Sequence, residues 1–179
     1  MKKLAIAAIV FAAFGSMEMA QAASSGTITF NGEVTATTCD VTVAGQAADA
    51  TVTLPTVGQN ELQTAGATTG RTSFPMQLDN CAGTLTTASA FFQDGPSVDI
   101  NGRLQNLSGT ATNVSLQLLD DQNAGNVINV GDSSQVDGTS YVDVSSGSAT
   151  MKYGVEYYAE GAATPGTVVS NVVYNIQYK

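Results

Sequence analysis

The only residues suited to thiol chemistry are Cys39 and Cys81, and the sequence contains no histidine. Without histidine there is no Ser–His or Cys–His pair for nucleophilic catalysis. Two thiols supply only half of a tetrahedral zinc site, and their spacing is not that of a C-x-x-C redox motif. In an exported chain, an even number of cysteines is typical of a disulfide. We therefore expect a Cys39–Cys81 bond, which would close a loop worth about 4 kcal/mol.

The acidic residues offer two further kinds of chemistry. Asp120, Asp121 and Asn123 lie close together, but they lack the EF-hand spacing and its terminal glutamate, so a turn of solvated acids is favoured over a calcium site. A carboxylate pair for glycoside hydrolysis is defined by distance in space, and the sequence singles out no pair. The sequence therefore predicts no enzyme, no metal ion and no cofactor, and it favours a structural or binding protein.

The N-terminal segment predicts export. The chain begins Met-Lys-Lys, continues with an apolar run over residues 4–14 and reaches an A-x-A motif at residues 20–22, which is typical of a signal peptide over residues 1–22. The apolar run is about half of the roughly 20 residues that a membrane-spanning helix needs. Cleavage would leave 4 of the 6 basic and 14 of the 15 acidic residues, a formal net charge of −10. Nucleic acid and anionic lipid are poor partners for such a chain.

Alternating apolar residues recur along the rest of the sequence. The composition is rich in Thr, Val, Ser, Gly and Ala, which disfavours helix and suits strands. Turn residues separate the alternating segments, so we predict an all-β sandwich with almost no helix. The predicted strands include Val41 and Val43, Val52 and Leu54, Phe74 to Leu78, residues 88–93, Val98 and Ile100, Val114 to Leu118, Met151 to Tyr157, and residues 168–179.

The first and last predicted strands of the mature chain have matching patterns. In residues 23–34, small or apolar side chains occupy every second position from Gly26 to Val34. Near the C-terminus, Val172, Tyr174, Ile176 and Tyr178 form one face. Residues that follow a cleavage site usually fray unless they are held, and apolar edge strands are hazardous unless they are paired. The two strands either pair internally in an immunoglobulin-like sandwich, or another molecule binds the first strand.

The sequence resembles the major pilins of bacterial chaperone–usher fimbriae, close to the type 1 fimbrial subunits. The resemblance spans the whole mature chain, with motifs at both ends and both cysteines. It also includes a penultimate tyrosine, Tyr178, and a glycine fourteen residues from the C-terminus, Gly166. The matching segments read GTITFNGEV from Gly26, FPMQLDNC from Phe74, SGTATNVSLQLLD from Ser108, YYAEGAATPG from Tyr157 and YNIQYK at the end.

This resemblance implies an incomplete immunoglobulin-like sandwich over residues 35–179 that lacks its final strand. The N-terminal extension of a neighbouring subunit, residues 23–34, would complete the sandwich in trans. The face that would enter the groove is formed by Ser24, Gly26, Ile28, Phe30 and Gly32. The C-terminal strand would border the groove and contact a chaperone through Gly166, Val172, Tyr174, Ile176, Tyr178 and Lys179.

The resemblance also implies a function and partners. A periplasmic chaperone would first fill the groove, and exchange at an outer-membrane usher would replace it with the extension of the next subunit. The chain would then be the major shaft subunit of an extracellular fimbria that supports bacterial adhesion. Because identical subunits would join head-to-tail, the assembly would be an open helical polymer. The alternative function is a subunit whose shaft surface itself binds a host glycan or receptor.

Overall fold

The computed structural model describes residues 26–32, 34 and 38–179. The predicted signal peptide and Ser24 lie outside the described residues. The chain divides into two units, residues 1–33 and residues 34–179. In the first unit, residues 26–32 form no helix or strand, and the side chains of Ile28 and Phe30 are 77% and 88% exposed.

The described part of the second unit is built almost entirely of strands, as predicted. One 3₁₀ turn, Gln59–Leu62, and one helical turn, α1 (Gln135–Gly138), are the only helical elements there. The strands are β1 (Thr38–Val43), β2 (Thr68–Ala82), β3 (Thr87–Phe92), β4 (Leu104–Gln105), β5 (Val114–Asp120), β6 (Asn126–Ile128), β7 (Val142–Asp143), β8 (Ala149–Ala159) and β9 (Tyr174–Tyr178).

The strands form two antiparallel sheets. The larger sheet has the order β1-β2-β8-β5-β4, with β6 also paired to β5, and the smaller has the order β7-β3-β9. Their apolar faces enclose one core, in which the rings of Phe92 and Tyr153 pack edge to face at 5.1 Å between centroids. The Tyr153 hydroxyl in the larger sheet accepts a hydrogen bond from the Ala90 N–H in the smaller sheet at 2.9 Å. This bond satisfies polar groups inside the core, where an unpaired group would be costly.

Three of the predicted strands are wrong in whole or in part. Val52 and Leu54 belong to no sheet, although both are half-buried beside exposed neighbours. Ile100 is fully exposed in a turn, and Val98 contributes only an isolated bridge to Leu104. The last strand begins at Tyr174 and not at residue 168, so Val172 precedes it; Gly166, predicted among the groove-edge residues, also lies before it. The alternation in these segments is correct, but a strand in a sheet also needs a neighbour with which to form a hydrogen-bonded ladder.

The predicted disulfide between Cys39 and Cys81 is present and joins β1 to β2. Its two cysteines are 42 residues apart in sequence, so the bond closes a long loop that contains most of the first two strands. Cross-linking such a loop removes conformations chiefly from the unfolded chain. The disulfide thereby fixes the edge strand β1 against the sheet.

Replacing both cysteines should destabilise the fold. We expect the double variant Cys39→Ser, Cys81→Ser to lose about 2–5 kcal/mol of its free energy of unfolding, measured by urea titration. As a control, a reducing agent should lower the stability of the unsubstituted chain to that of the variant and leave the variant unchanged. Equal stability of the oxidised chain and the variant would contradict this expectation.

Candidate strand-binding groove

A long groove opens between the start of β9 and the segment that follows β1. A cavity of about 430 Å³ lies between residues 48–54 on one wall and residues 170–174 on the other. A second cavity of about 500 Å³ follows along the same two segments, between residues 56–59 and residues 163–169. Side chains from both sheets form the apolar floor of the first cavity: Phe74, Met76, Phe92, Leu104, Leu116, Leu118 and Val155.

The C-terminal wall of the groove has a strict two-residue period. Its side chains alternate between half-buried and exposed from Val168 to Ile176. The half-buried positions, with Tyr178 added at the end, are Val168, Ser170, Val172, Tyr174, Ile176 and Tyr178. The structure therefore brings four of the predicted groove-edge residues onto one face, even though Val172 precedes the strand itself.

The main chain of β9 is hydrogen-bonded on one side only. Lys179 and Thr87 exchange both of their main-chain hydrogen bonds, at 2.9 and 3.0 Å. Because such pairs alternate with non-bonded pairs in an antiparallel ladder, the N–H and C=O groups of Tyr174, Ile176 and Tyr178 point to the other side. Within the described chain no strand pairs with that side, since β9 is the last strand of its sheet.

The opposite wall also presents unpaired main-chain groups. Val52 and Leu54 direct half-buried side chains toward the first cavity. The main-chain groups of residues 52–54 make no hydrogen bond to any described residue, and the same is true of Val168, Ser170 and Val172 on the C-terminal wall. Unpaired edges of this kind are templates for an added strand. The groove therefore combines an apolar floor with two walls able to form hydrogen-bonded ladders.

Tyrosine hydroxyls link the C-terminal wall to the opposite wall and to β1. Tyr174 donates a hydrogen bond to the Ala48 carbonyl at 2.9 Å, and Tyr178 accepts one from the Cys39 N–H at 3.1 Å. Burial raises the pKa of both phenols; at Tyr174 the charge of Asp49 adds to the effect, and at Tyr178 the bond from Cys39 opposes it. These two bonds are the only hydrogen bonds between β9 and residues 38–57 in the described part of the chain.

The ends of the C-terminal wall are held by close contacts. A Cβ atom added to Gly166 would lie 2.4 Å from the Ala111 nitrogen, so only glycine permits this approach of two main chains. At the other end, the Lys179 ammonium donates hydrogen bonds to the Val136 carbonyl and to Asp137, both at 2.7 Å. The bond to Asp137 raises the pKa of Lys179. The contacts at Gly166 and at Lys179 therefore hold the two ends of the C-terminal wall against the rest of the fold.

The prediction of solvated acids in the turn at residues 120–123 is wrong for Asp120. Asp120 is buried and accepts hydrogen bonds from the Ser140 and Gln122 N–H groups, at 2.7 and 3.1 Å, and Asp121 pairs with Arg71. The described residues contain no group of three His, Cys, Asp or Glu side chains placed to hold a metal ion.

None of the helices in the described part of the chain is long and apolar enough to cross a membrane.

One wall and the floor of the groove were not predicted from the sequence. It did not identify the wall formed by residues 48–54, although the alternation of Val52 and Leu54 was a usable signal. It also did not assemble the floor, because those side chains come from five different strands. Of the predicted donor residues, Gly26, Ile28, Phe30 and Gly32 lie in the first unit and are exposed; their role stays a prediction.

Comparisons with known proteins identify relatives of the chain. The family model described as "FimA: Type-1 fimbrial protein, A" matches residues 54–179. The major fimbrial subunit SMF-1 of Stenotrophomonas maltophilia (strain K279a) is 46% identical over 166 residues, which cover 89% of this chain and 96% of that protein. The F17 fimbrial protein of Escherichia coli is 36% identical over 165 residues, covering 88% and 89% of the two chains.

The fold also has solved counterparts. The crystal structure of the P pilus rod subunit PapA superposes with a TM-score of 0.59 at 16% sequence identity, covering 78% of this chain and 99% of that one. At this identity the likeness concerns the fold alone. It confirms the predicted all-β, immunoglobulin-like pilin sandwich.

Removing the Tyr178 hydroxyl should loosen the link between β9 and β1. We expect Tyr178→Phe to lose about 0.5–1.5 kcal/mol of its free energy of unfolding in urea, because the Cys39 N–H loses its partner. Tyr158→Phe is the matched control, since no described residue is hydrogen-bonded to the Tyr158 hydroxyl and its ring would still lie under Arg103. Equal effects of the two substitutions would show that the Tyr178 bond adds no stability.

The raised pKa values of Tyr174 and Tyr178 predict alkaline sensitivity. The folded state favours the neutral phenols, so their contribution is complete below the unfolded pKa of about 10 and is lost as the pH rises through the folded-state pKa. Urea titrations between about pH 8 and pH 11 should therefore show falling stability. The double variant Tyr174→Phe, Tyr178→Phe should show a smaller fall; an identical pH dependence would contradict the assignment.

Proposed function

The chain belongs to the type-1 fimbrial protein family and is a structural subunit of a fimbria, and from this premise we propose that it polymerises into the shaft by donor-strand exchange. In this process, the N-terminal extension of one subunit fills the groove of the next. The observation that carries the proposal is the groove itself, in which two walls with unpaired main-chain groups flank an apolar floor. An added strand would satisfy the main-chain groups and cover the floor in one step.

The N-terminal extension has the chemistry that this groove requires. Ile28 and Phe30 are two residues apart, so in an extended strand they would lie on the same face. Both side chains are largely exposed in the described chain, and burying each would contribute roughly 1.5–3 kcal/mol. Each ladder hydrogen bond would add about 0.5–1.5 kcal/mol. Several such terms together explain why exchange between assembled subunits should be very slow.

Charge presents no obstacle to this insertion. Residues 26–32 contain no charged side chain, and Asp49 is the only charged residue among those that line the first cavity. Insertion would therefore move no charged side chain of residues 26–32 from water into the sandwich. Transferring a charge out of water is the most costly part of burying a polar strand. The net charge of the mature chain would remain on the outer surfaces of the fibre.

The same open edge supports a role for a chaperone and an usher. Before assembly, an exposed half-paired strand would aggregate, so a periplasmic partner that lends its own strand to β9 is expected. We propose that Gly166, Val172, Tyr174, Ile176, Tyr178 and Lys179 form the chaperone contact. Export through the periplasm, exchange at an outer-membrane usher and residence in an extracellular fimbria complete the proposal.

Polymerisation can be tested on the N-terminal extension. We expect deletion of residues 23–32, or the substitution Phe30→Asp, to abolish the ladder of species that unheated surface preparations give on an SDS gel. The deletion removes the inserted strand, and the substitution would place a charge against the apolar floor. Thr29→Asp, on the opposite face of the extension, is the matched control and should keep the ladder. Fibres formed by the deleted chain would refute donor-strand exchange.

The alternative function stays a prediction from the sequence. Binding of a host glycan or receptor by the shaft surface would be measured with the polymerised subunit against isolated glycans. Such binding would not involve the groove, because the groove would be filled in the polymer.

A further inference from the structure

The segment between β6 and β7 buries a single side chain, and that side chain is polar. Over residues 131–141, Gln135 is 2% exposed, whereas every other residue is half-buried or exposed. The next residue, Val136, is 40% exposed, although burying an apolar side chain is favourable and glutamine is mostly found at the surface. A segment that only covered the core would bury the valine and expose the amide. The burial of Gln135 therefore points to a role for its hydrogen bonds.

The Gln135 amide bonds both main-chain groups of Phe92 in β3. The Phe92 N–H donates to Gln135 Oε1 at 3.0 Å, and Gln135 Nε2 donates to the Phe92 carbonyl at 3.0 Å. These groups point away from β9, because bonded and non-bonded pairs alternate along the ladder from the bonded pair of Thr87 and Lys179. A neighbouring strand would offer the same two partners. Gln135 therefore occupies the second edge of the smaller sheet.

Other groups close the rest of this second edge. β7 covers only the first two residues of β3. Beyond it, the Ala90 N–H donates to the Tyr153 hydroxyl, and the Phe92 carbonyl also accepts a bond from the Gly131 N–H at 3.0 Å. At the opposite edge of the sheet, β9 has no strand of the described chain on its outer side. The smaller sheet thus has one closed edge and one edge that lines the groove.

Without its closure, the second edge would resemble the groove. Ala88, Ala90 and Phe92 are buried alternate residues of β3, and Phe92 also lines the first cavity. Free main-chain groups beside apolar alternate residues are a template for an added strand. A subunit with two such edges would accept two extensions, and its polymer would branch. A single accepting edge gives an unbranched series of head-to-tail contacts.

We propose that Gln135 determines which edge accepts a strand: by bonding Phe92, it excludes the N-terminal extension of a second copy from β3 and leaves the groove as the only accepting site. The inference rests on the proposed function, because it concerns where the extension is received. Gln135 lines neither cavity of the groove. It therefore acts by closing the wrong edge and not by binding the extension.

The test counts the peptides that one subunit accepts. The donor is a peptide with the sequence of residues 23–34. The acceptor is the full mature chain carrying Ile28→Asp and Phe30→Asp, which disables its own extension. Native mass spectrometry at saturating peptide gives the number bound per chain, and we expect one for this acceptor. If it bound no peptide, donor-strand exchange itself would be refuted, whatever the role of Gln135.

Substitutions at Gln135 should raise that number to two. Gln135→Met keeps the length of the side chain and removes both bonds to Phe92, and Gln135→Asn, which retains an amide but is one methylene shorter, is a second variant in case the first does not fold. Two controls should still bind one peptide. Gln93→Met adds the same side chain beside Phe92 without removing any of its bonds, and Ser89→Ala removes buried hydrogen bonds of β3 that involve only side chains. One peptide on both Gln135 variants would overturn the inference.

Hydrogen exchange separates closure of the edge from general stability. In the acceptor with its groove filled by peptide, we expect Gln135→Met to speed exchange of the Phe92 N–H about tenfold, because that group loses its partner. The Ala90 N–H, which Tyr153 holds, should change much less. Equal acceleration at both amides would show that Gln135 only adds stability, and the inference would be wrong.

Discussion

The hydrogen-bonding requirement of one strand, β9, governs the rest of this structure. One side of β9 is paired with β3, and the other side presents the N–H and C=O groups of alternate residues to the groove. Main-chain groups at the edge of a core are stable only if water or another strand binds them. The side chains on the same residues are half-buried and apolar. An added strand satisfies both needs, whereas water satisfies only the first.

The groove stays available for a strand because its frame is fixed independently of any occupant. The disulfide holds β1 to β2, and the Cys39 N–H contacts Tyr178 at the far end of β9. Gly166 permits the close main-chain contact that sets the other end of the wall. Between these points, the main-chain groups of residues 52–54 and of the alternate residues Val168, Ser170 and Val172 have no hydrogen bond to a described residue. Rigid ends and an unpaired middle suit a site that must accept a long strand without refolding.

Features that depend on a residue's local pattern could be predicted from the sequence, whereas features that depend on a distant neighbour could not. Alternation identified the faces of β5, β8 and the C-terminal wall, and the disulfide followed from the number of cysteines and the export signal. Val52, Leu54 and Val172 show the same alternation but belong to no ladder, because pairing depends on a neighbour that a local pattern does not contain. The floor could not be assembled from the sequence, since Phe92, Leu104 and Leu116 meet only through the sheet order.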